Sequence, residues 1–187
     1  MQPPEPVVLE GHGVRLEPLT AAHADDLVEA ARDERIWAWT GPQPRTAADV
    51  LGWTQQPGRH PYAVVVDGRA QGSTSYGDVD LDVEGLEVGW TWYAPALWAT
   101  TVNPACKLLL LGHAFEALGA RRVTLKTDAL NARSRAAIAR LGAQYDGTLR
   151  HHRLRPDGTV RDSAFFSLLA DEWPAARDGL MRRLGVR

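Results

Sequence analysis

Residues 86–111 bring together groups that can do chemistry. Leu86-Glu87-Val88-Gly89-Trp90-Thr91-Trp92-Tyr93-Ala94 reads as a β-rich strand. A short polar loop follows through Trp98, Thr100, Thr101 and Val102. Asn103-Pro104-Ala105-Cys106-Lys107 then opens a helix that continues into Leu108-Leu109-Leu110-Leu111. Strand, loop and helix start in that order aim free backbone N–H groups beyond the strand end, which is a natural anion site. The Thr100 and Thr101 hydroxyls add donors. Asn103 reads as the helix N-cap, and Pro104 loses little in a first turn. A second unit follows at once, Arg122-Val123-Thr124-Leu125-Lys126-Thr127-Asp128 and then a helix over residues 131–141 closed by Gly142. Asn131 and Ser134 lie within one turn of it. Two such units suggest an enzyme that holds a phosphorylated carrier, although capped helices alone would use the same residues.

Other chemistries find less support. Cys106 is the only cysteine, so intramolecular disulfides and cysteine zinc clusters are excluded, and a reducing, cytoplasmic setting fits. His151 and His152 are adjacent and point to opposite faces of a strand, so they cannot share one metal. No Walker loop, Gly-x-Gly-x-x-Gly element or His-x-x-x-His zinc pattern occurs, and no metal site is expected. The formal net charge of -2 gives no global pull toward nucleic acid or an anionic membrane. The segment Arg150-His151-His152-Arg153-Leu154-Arg155 is locally basic, which fits either an RNA or ribosome contact or a solvated edge hairpin.

At 187 residues, 44% of them hydrophobic, the chain reads as one domain with a substantial core. No apolar run can span a bilayer, and Met1-Gln2-Pro3-Pro4-Glu5 does not read as a signal peptide. Residues 1–12 are expected to be flexible. Val14-Arg15-Leu16-Glu17-Pro18-Leu19 alternates as a first strand, and Thr20 and Thr46 cap the two helices that follow. Tyr62-Ala63-Val64-Val65-Val66 pairs with a strand over 69–76 through the Asp67-Gly68 turn. Residues 77–85 are acidic and loop-like, and the Leu86 strand completes a meander. After the two strand–helix units come strands over 147–154 and 161–168, joined by Pro156-Asp157-Gly158, and a terminal helix within 173–187. The order predicts an α+β domain with a single mixed, mostly antiparallel sheet flanked by helices on both faces.

Element order and the segments Glu87-Val88-Gly89-Trp90, Lys107 to Glu116, Lys126-Thr127-Asp128, Asn131-Ala132-Arg133-Ser134, Leu141-Gly142-Ala143, Leu154 to Gly158, Arg161-Asp162-Ser163 and Asp171-Glu172-Trp173-Pro174 resemble the GNAT superfamily of acyl-CoA-dependent N-acetyltransferases, within it the Rim-type branch of ribosomal-protein N-terminal acetyltransferases. The resemblance runs from Val14 to Pro174. It implies acetyl-CoA as co-substrate, a primary amine as acceptor and direct transfer between them. By resemblance Glu87 is the base, acting through water, and Ser134 meets the coenzyme sulfur. Trp98, Thr100, Thr101, Val102, Asn103, Lys107, Asn131, Ser134 and Arg135 would hold the coenzyme. Trp39, Trp90 and Trp92 are candidate acceptor contacts, and the acidic stretch 78–84 would attract a cationic amine. Relatives often form homodimers. The loop departs from the family's Gln/Arg-x-x-Gly-x-Gly/Ala pattern, since residues 98–103 hold neither glycine nor arginine. That departure admits a non-catalytic acyl-CoA sensor on the same fold.

Overall fold

The computed structural model describes residues 1–155 and 157–186, so Pro156 of the expected turn and Arg187 lie outside the described residues. The chain does not start with the expected flexible arm. His12 and Gly13, both at positive φ, turn β1 (Leu9–Gly11) back onto β2 (Val14–Pro18). The Met1 ammonium meets Glu84 at 2.6 Å, and Gln2 N–H donates to the Leu118 carbonyl. Helices α1 (Ala24–Ala30) and α2 (Ala47–Leu51) follow, the latter opened by a reciprocal Thr46–Asp49 capping box. Strands β3 (His60–Val66) and β4 (Arg69–Asp80) join at Asp67 and Gly68, whose φ values of 51° and 75° are what a tight hairpin turn requires.

Strand β4 is longer than its sequence suggests. Pairing with β5 (Gly85–Tyr93) extends through Asp80, so the acidic loop shrinks to residues 81–84. Then come α3 (Val102–Gly112), β6 (Arg122–Asp128), α4 (Ala132–Ala139), β7 (Gln144–Leu154), β8 (Val160–Leu169) and α5 (Trp173–Arg183). The single eight-stranded sheet has the order β1-β2-β3-β4-β5-β6-β8-β7.

Two cores lie on opposite faces of the sheet. Leu110 and Leu111 of α3, Ala114 in the turn of helix that continues it, and Trp173 and Leu180 of α5 pack with Leu16, Val64, Leu86, Val88, Val123 and Phe166 on one face. Leu27, Ile36, Trp37 and Val50 pack with Ala63, Ala70 and Trp92 on the other. Helices on both faces of one mixed sheet are the architecture the sequence predicts.

One feature of the sheet makes the cleft. The parallel pair β5–β6 runs only from Gly85–Arg122 to Glu87–Thr124. Beyond Glu87 the strands splay. On its other side β5 carries a bulge against β4, where the register shifts between Ser73 and Ser75. Trp90 sits in that bulge at φ 51°, a conformation rare for a bulky side chain. A bulge increases local twist and re-aims side chains, and here it lies where β5 turns away from β6.

Candidate active site

Glu87 occupies the last paired position of β5, at the apex of the splay. Alternation along the strand turns it away from Leu86 and Val88, toward the face opposite α3. It is 2% exposed. Its Oε2 pairs with Lys126 Nζ, and the same ammonium meets Asp78 Oδ2 at 2.8 Å. Burial pushes the Glu87 carboxyl up to about 7. The Lys126 charge holds it from rising further, while Asp78 adds a smaller push upward. Lys126 and its hydrogen bond hold the Asp78 carboxyl below the usual carboxylate range. A carboxyl that titrates near neutrality at the mouth of a cleft suits a general base.

Backbone irregularities aim this cluster. Asp78, at φ 45°, lies in the β4 irregularity opposite Glu87. Gly89 leaves room for the carboxylate, since a Cβ there would stand 2.5 Å from Glu87 Oε1. Gly77 likewise lies beneath the Trp90 indole, 2.5 Å from where a Cβ would be. That indole lies 5.2 Å from the Arg59 guanidinium and 5.7 Å from Lys126 Nζ. Trp90 thus stands beside the Lys126 that pairs with Glu87. Trp92 does not, and its expected substrate contact is corrected. It is buried 5.2 Å from Trp37 and 6.1 Å from Trp53, in the second core. Trp39 lies on the surface.

Strand β5 leads through Trp98 to α3, as the spacing predicts, but the cap differs. The helix begins at Val102 with Thr101 as N-cap, and no side chain caps it. Asn103 falls inside the first turn, and its Oδ1 accepts from Tyr93 Oη at 3.1 Å. Thr100 Oγ1 donates to the Leu97 carbonyl and receives a 3.3 Å contact from Val102 N–H. The Thr101 side chain itself makes no capping bond, Pro104 has no N–H and Ala105 N–H donates to the Thr101 carbonyl, so the Asn103 N–H is the first-turn donor left for an anion.

The basic groups missing from the loop arrive from elsewhere. Trp98 anchors its Nε1 on the Tyr93 carbonyl at 3.0 Å. The Arg133 guanidinium lies 4.6 Å from its ring centroid and that of Arg35 lies 5.5 Å away. Arg133 therefore stands beside the loop, and Arg135 turns elsewhere. Arg135 donates to the Ala129 carbonyl and stands over Tyr145 instead.

Lys107 turns inward, toward β5 and β4. It is 6% exposed and donates to Thr91 Oγ1 at 3.2 Å, which in turn shares a hydrogen bond with Thr74 Oγ1. Burial pushes its ammonium down to about 8. In the second unit Asn131 caps α4 by accepting from Ser134 N–H at 3.0 Å. That use leaves the Asn131 amide N–H groups and the half-buried Ser134 hydroxyl available. Cys106 is fully buried, and burial pushes its thiol up to about 11, so it is not a nucleophile.

Of the acidic stretch expected to draw in a cation, Asp78 serves Lys126, Asp80 accepts from Asp82 and Val83 N–H, and Glu84 ties down Met1 and Arg121. Sequence reasoning gives Lys126 and Asp78 no catalytic role. The one signal is Lys126 sharing a strand face with Thr124 and Asp128, opposite the apolar Val123 and Leu125.

Among the described residues no helix is long and apolar enough to cross a membrane. A family model for the GNAT acetyltransferase domain matches residues 14–144. No curated protein matches the chain. A T. thermophilus protein assigned as an acetyltransferase is 35% identical, with a TM-score of 0.88 over 97% of this chain and 98% of that one. A GCN5-related N-acetyltransferase from Brucella melitensis is 28% identical, with a TM-score of 0.91 over 97% and 87%. Mycobacterium smegmatis RimJ, in complex with CoA-disulfide, shares the fold at 20% identity, with a TM-score of 0.83 over 99% and 98%. Matched by that model over most of its length and split between β5 and β6 as described, the chain belongs to the GNAT acetyltransferases, enzymes that transfer an acetyl group from acetyl-CoA to an acceptor amine.

Proposed function

We propose that this enzyme moves the acetyl group directly to a primary amine, the α-amino group of a protein N-terminus or a small molecule, with Glu87 as base. The observation that carries the reading is the buried Glu87 carboxyl at the apex of the splay, pushed up to about 7. Glu87 takes a proton from the incoming ammonium through water. The neutral nitrogen attacks the thioester carbonyl, and the carbon–sulfur bond breaks. The Ser134 hydroxyl gives its proton to the departing thiolate and regains the second proton that the nitrogen sheds, so that amide and free thiol leave. A thiolate leaves more readily than an alkoxide, so one hydroxyl is help enough. An α-amino group, with a pKa near ~8, suits a base of this strength better than a lysine near ~10.4.

The first turn of α3, Thr100 and Thr101 would take the pyrophosphate. Arg133 and Arg35 beside Trp98 would supply the positive charge that the loop itself lacks. The Asn131 amide would bond the pantetheine arm. The overall likeness to RimJ is consistent with the Rim-type branch at the level of fold.

The test is thiol release from acetyl-CoA across a panel of amines, as a function of pH. Turnover with an ascending limb near pH 7, lost in Glu87→Gln, is the expected result. The glycine-free loop favours one competing reading, a sensor that binds acyl-CoA without turnover. Calorimetric binding of acetyl-CoA with no thiol release on any amine would establish the sensor instead.

A further inference from the structure

The face of the sheet that carries Glu87 also holds an arginine that no carboxylate pairs with, although carboxylates stand near it. Thr124, Lys126 and Asp128 on β6 share a face with Ser163 and Phe165 on β8, through the direct pairs Lys126–Phe165 and Asp128–Ser163. Arg161 extends the same row of β8. His152 leans in from β7, its ring 5.3 Å from Phe165, and Lys126 Nζ lies 5.9 Å from the same ring. Each carboxylate on this face is already committed. Glu87 and Asp78 share Lys126. Asp128 is gripped by Arg155, Nε to Oδ2 at 2.6 Å and Nη2 to Oδ1 at 3.2 Å, and accepts from Leu130 N–H.

Arg161 is left over. Among the described residues it makes no ion pair, and its Nε is buried without a hydrogen-bond partner. Ser163 Oγ and His152 Nδ1, on the same face, are also buried and unpartnered. Ser163 is fully buried. Burial holds the Arg161 guanidinium below its usual range, and the Glu87 and Asp128 charges offset this only in part. Orphaned buried polar groups are costly, and a guanidinium without a counter-ion most of all. Arg161 and Ser163 along β8 and His152 from β7, on the face that carries Lys126 and Glu87, describe a site that a ligand completes. The planar guanidinium fork with a hydroxyl and an imidazole beside it matches a carboxylate. Arg59 differs, because it donates to Ser75 and Gln56 and lies against Trp53 and Trp90, so it is already satisfied.

We infer that the acceptor is an amine bearing a carboxylate, its nitrogen at Glu87 and its carboxylate held by Arg161 with Ser163 and His152. This rests on the transferase reading above and narrows it. Polyamines are disfavoured, and amino acids or peptides with an acid group near the reacting amine are favoured.

The test uses matched pairs of primary amines, amino carboxylic acids of increasing chain length against their carboxamides. kcat/KM is measured for the full chain and for Arg161→Gln. Comparing the acid-to-amide ratio between the two proteins cancels differences in amine basicity. The expected ratio in the unaltered enzyme exceeds that in Arg161→Gln by about tenfold or more for the best chain length, through KM. An equal ratio in both proteins overturns the inference. If Arg161→Gln no longer binds acetyl-CoA, Ser163→Ala takes its place under the same criterion. If acetyl-CoA binds and no amine is acetylated, the transferase reading is what falls. Calorimetry with the carboxylate series then decides the subsite: binding weakened in Arg161→Gln supports it, and equal or absent binding in both proteins overturns it.

Discussion

The two faces of β5 each bury an ionisable side chain, and they treat it differently. Glu87 on one face is surrounded by charge, with Lys126 against it and Asp78 beyond. Lys107 reaches the other face from α3 and finds only hydroxyls, Thr91 and behind it Thr74. Burial drives both toward neutrality, Glu87 up to about 7 and Lys107 down to about 8. Desolvation acts in the same sense on both, and the partners differ. The Lys126 ammonium keeps Glu87 titrating where a base is useful. No counter-ion does as much for Lys107, so its burial remains a cost to stability. Burial alone therefore does not mark a catalytic group. What singles out Glu87 in the proposed mechanism is a partner that sets its titration range where β5 and β6 part.

The largest effect that can break this comparison is Glu87→Gln. Turnover should fall by about 10²–10⁴-fold, with acetyl-CoA affinity kept. The limb of the pH–rate profile that rises through about 7 should vanish with it. Stability gives an independent reading of the same carboxyl. Its folded pKa lies above the free value, so between about 4.5 and about 7 the folded state holds a proton that the unfolded chain has lost. The unaltered enzyme should lose stability as pH rises through that window, and the Gln variant should lose less. Denaturant melts at several pH values check this.

Lys107→Met comes next, and its sign is opposite to that of a typical core change. Between about 8 and 10.5 the unfolded chain keeps the ammonium proton and the folded one does not, so stability should rise with pH there. Removing the amine should flatten that rise and stabilise the protein below pH 8, by an amount bounded at roughly 3 kcal/mol. A lower melting temperature at pH 7 would show that the Thr91–Thr74 network outweighs the desolvation of the lysine.

Arg133, exposed on the rim, provides the contrast of a charge that stays in water. Arg133→Ala should raise the KM for acetyl-CoA about tenfold, with little change in melting temperature. Smallest of the set is Asn131→Ser, which keeps a side-chain oxygen for the α4 cap and removes the amide donor without adding charge. Stability should hold within about 0.5 kcal/mol, while acetyl-CoA binding weakens a few-fold. Unchanged calorimetric affinity would leave Asn131 as a cap alone.

Local chemistry makes much of the fold legible. The Asp67-Gly68 turn, the Thr46 box, the alternation of β2 and the strand–helix units around Trp98 and Asn131 are carried by neighbours in the chain. The features that mislead depend on distant partners. Residues 77–80 look like a loop because three glycine or aspartate residues sit among them, yet pairing with β5 makes them strand. Residues 9–11 have weak propensity and become β1 by lying against β2. Asn103 resembles a cap until Tyr93 takes its side chain.

The active site divides in the same way. Glu87 and Ser134 are singled out by the family resemblance of the segments that hold them. Lys126 reaches Asp78 across 48 residues of sequence. Arg35 and Arg133 meet at Trp98 from different elements, and Trp92 sinks into the core while Trp90 does not. A sequence on its own determines turns, caps and periodicity, because those energies act within a few residues. Which charges share a low-dielectric space, and hence which proton moves at neutral pH, is decided only when strand register and helix packing set distances between remote residues.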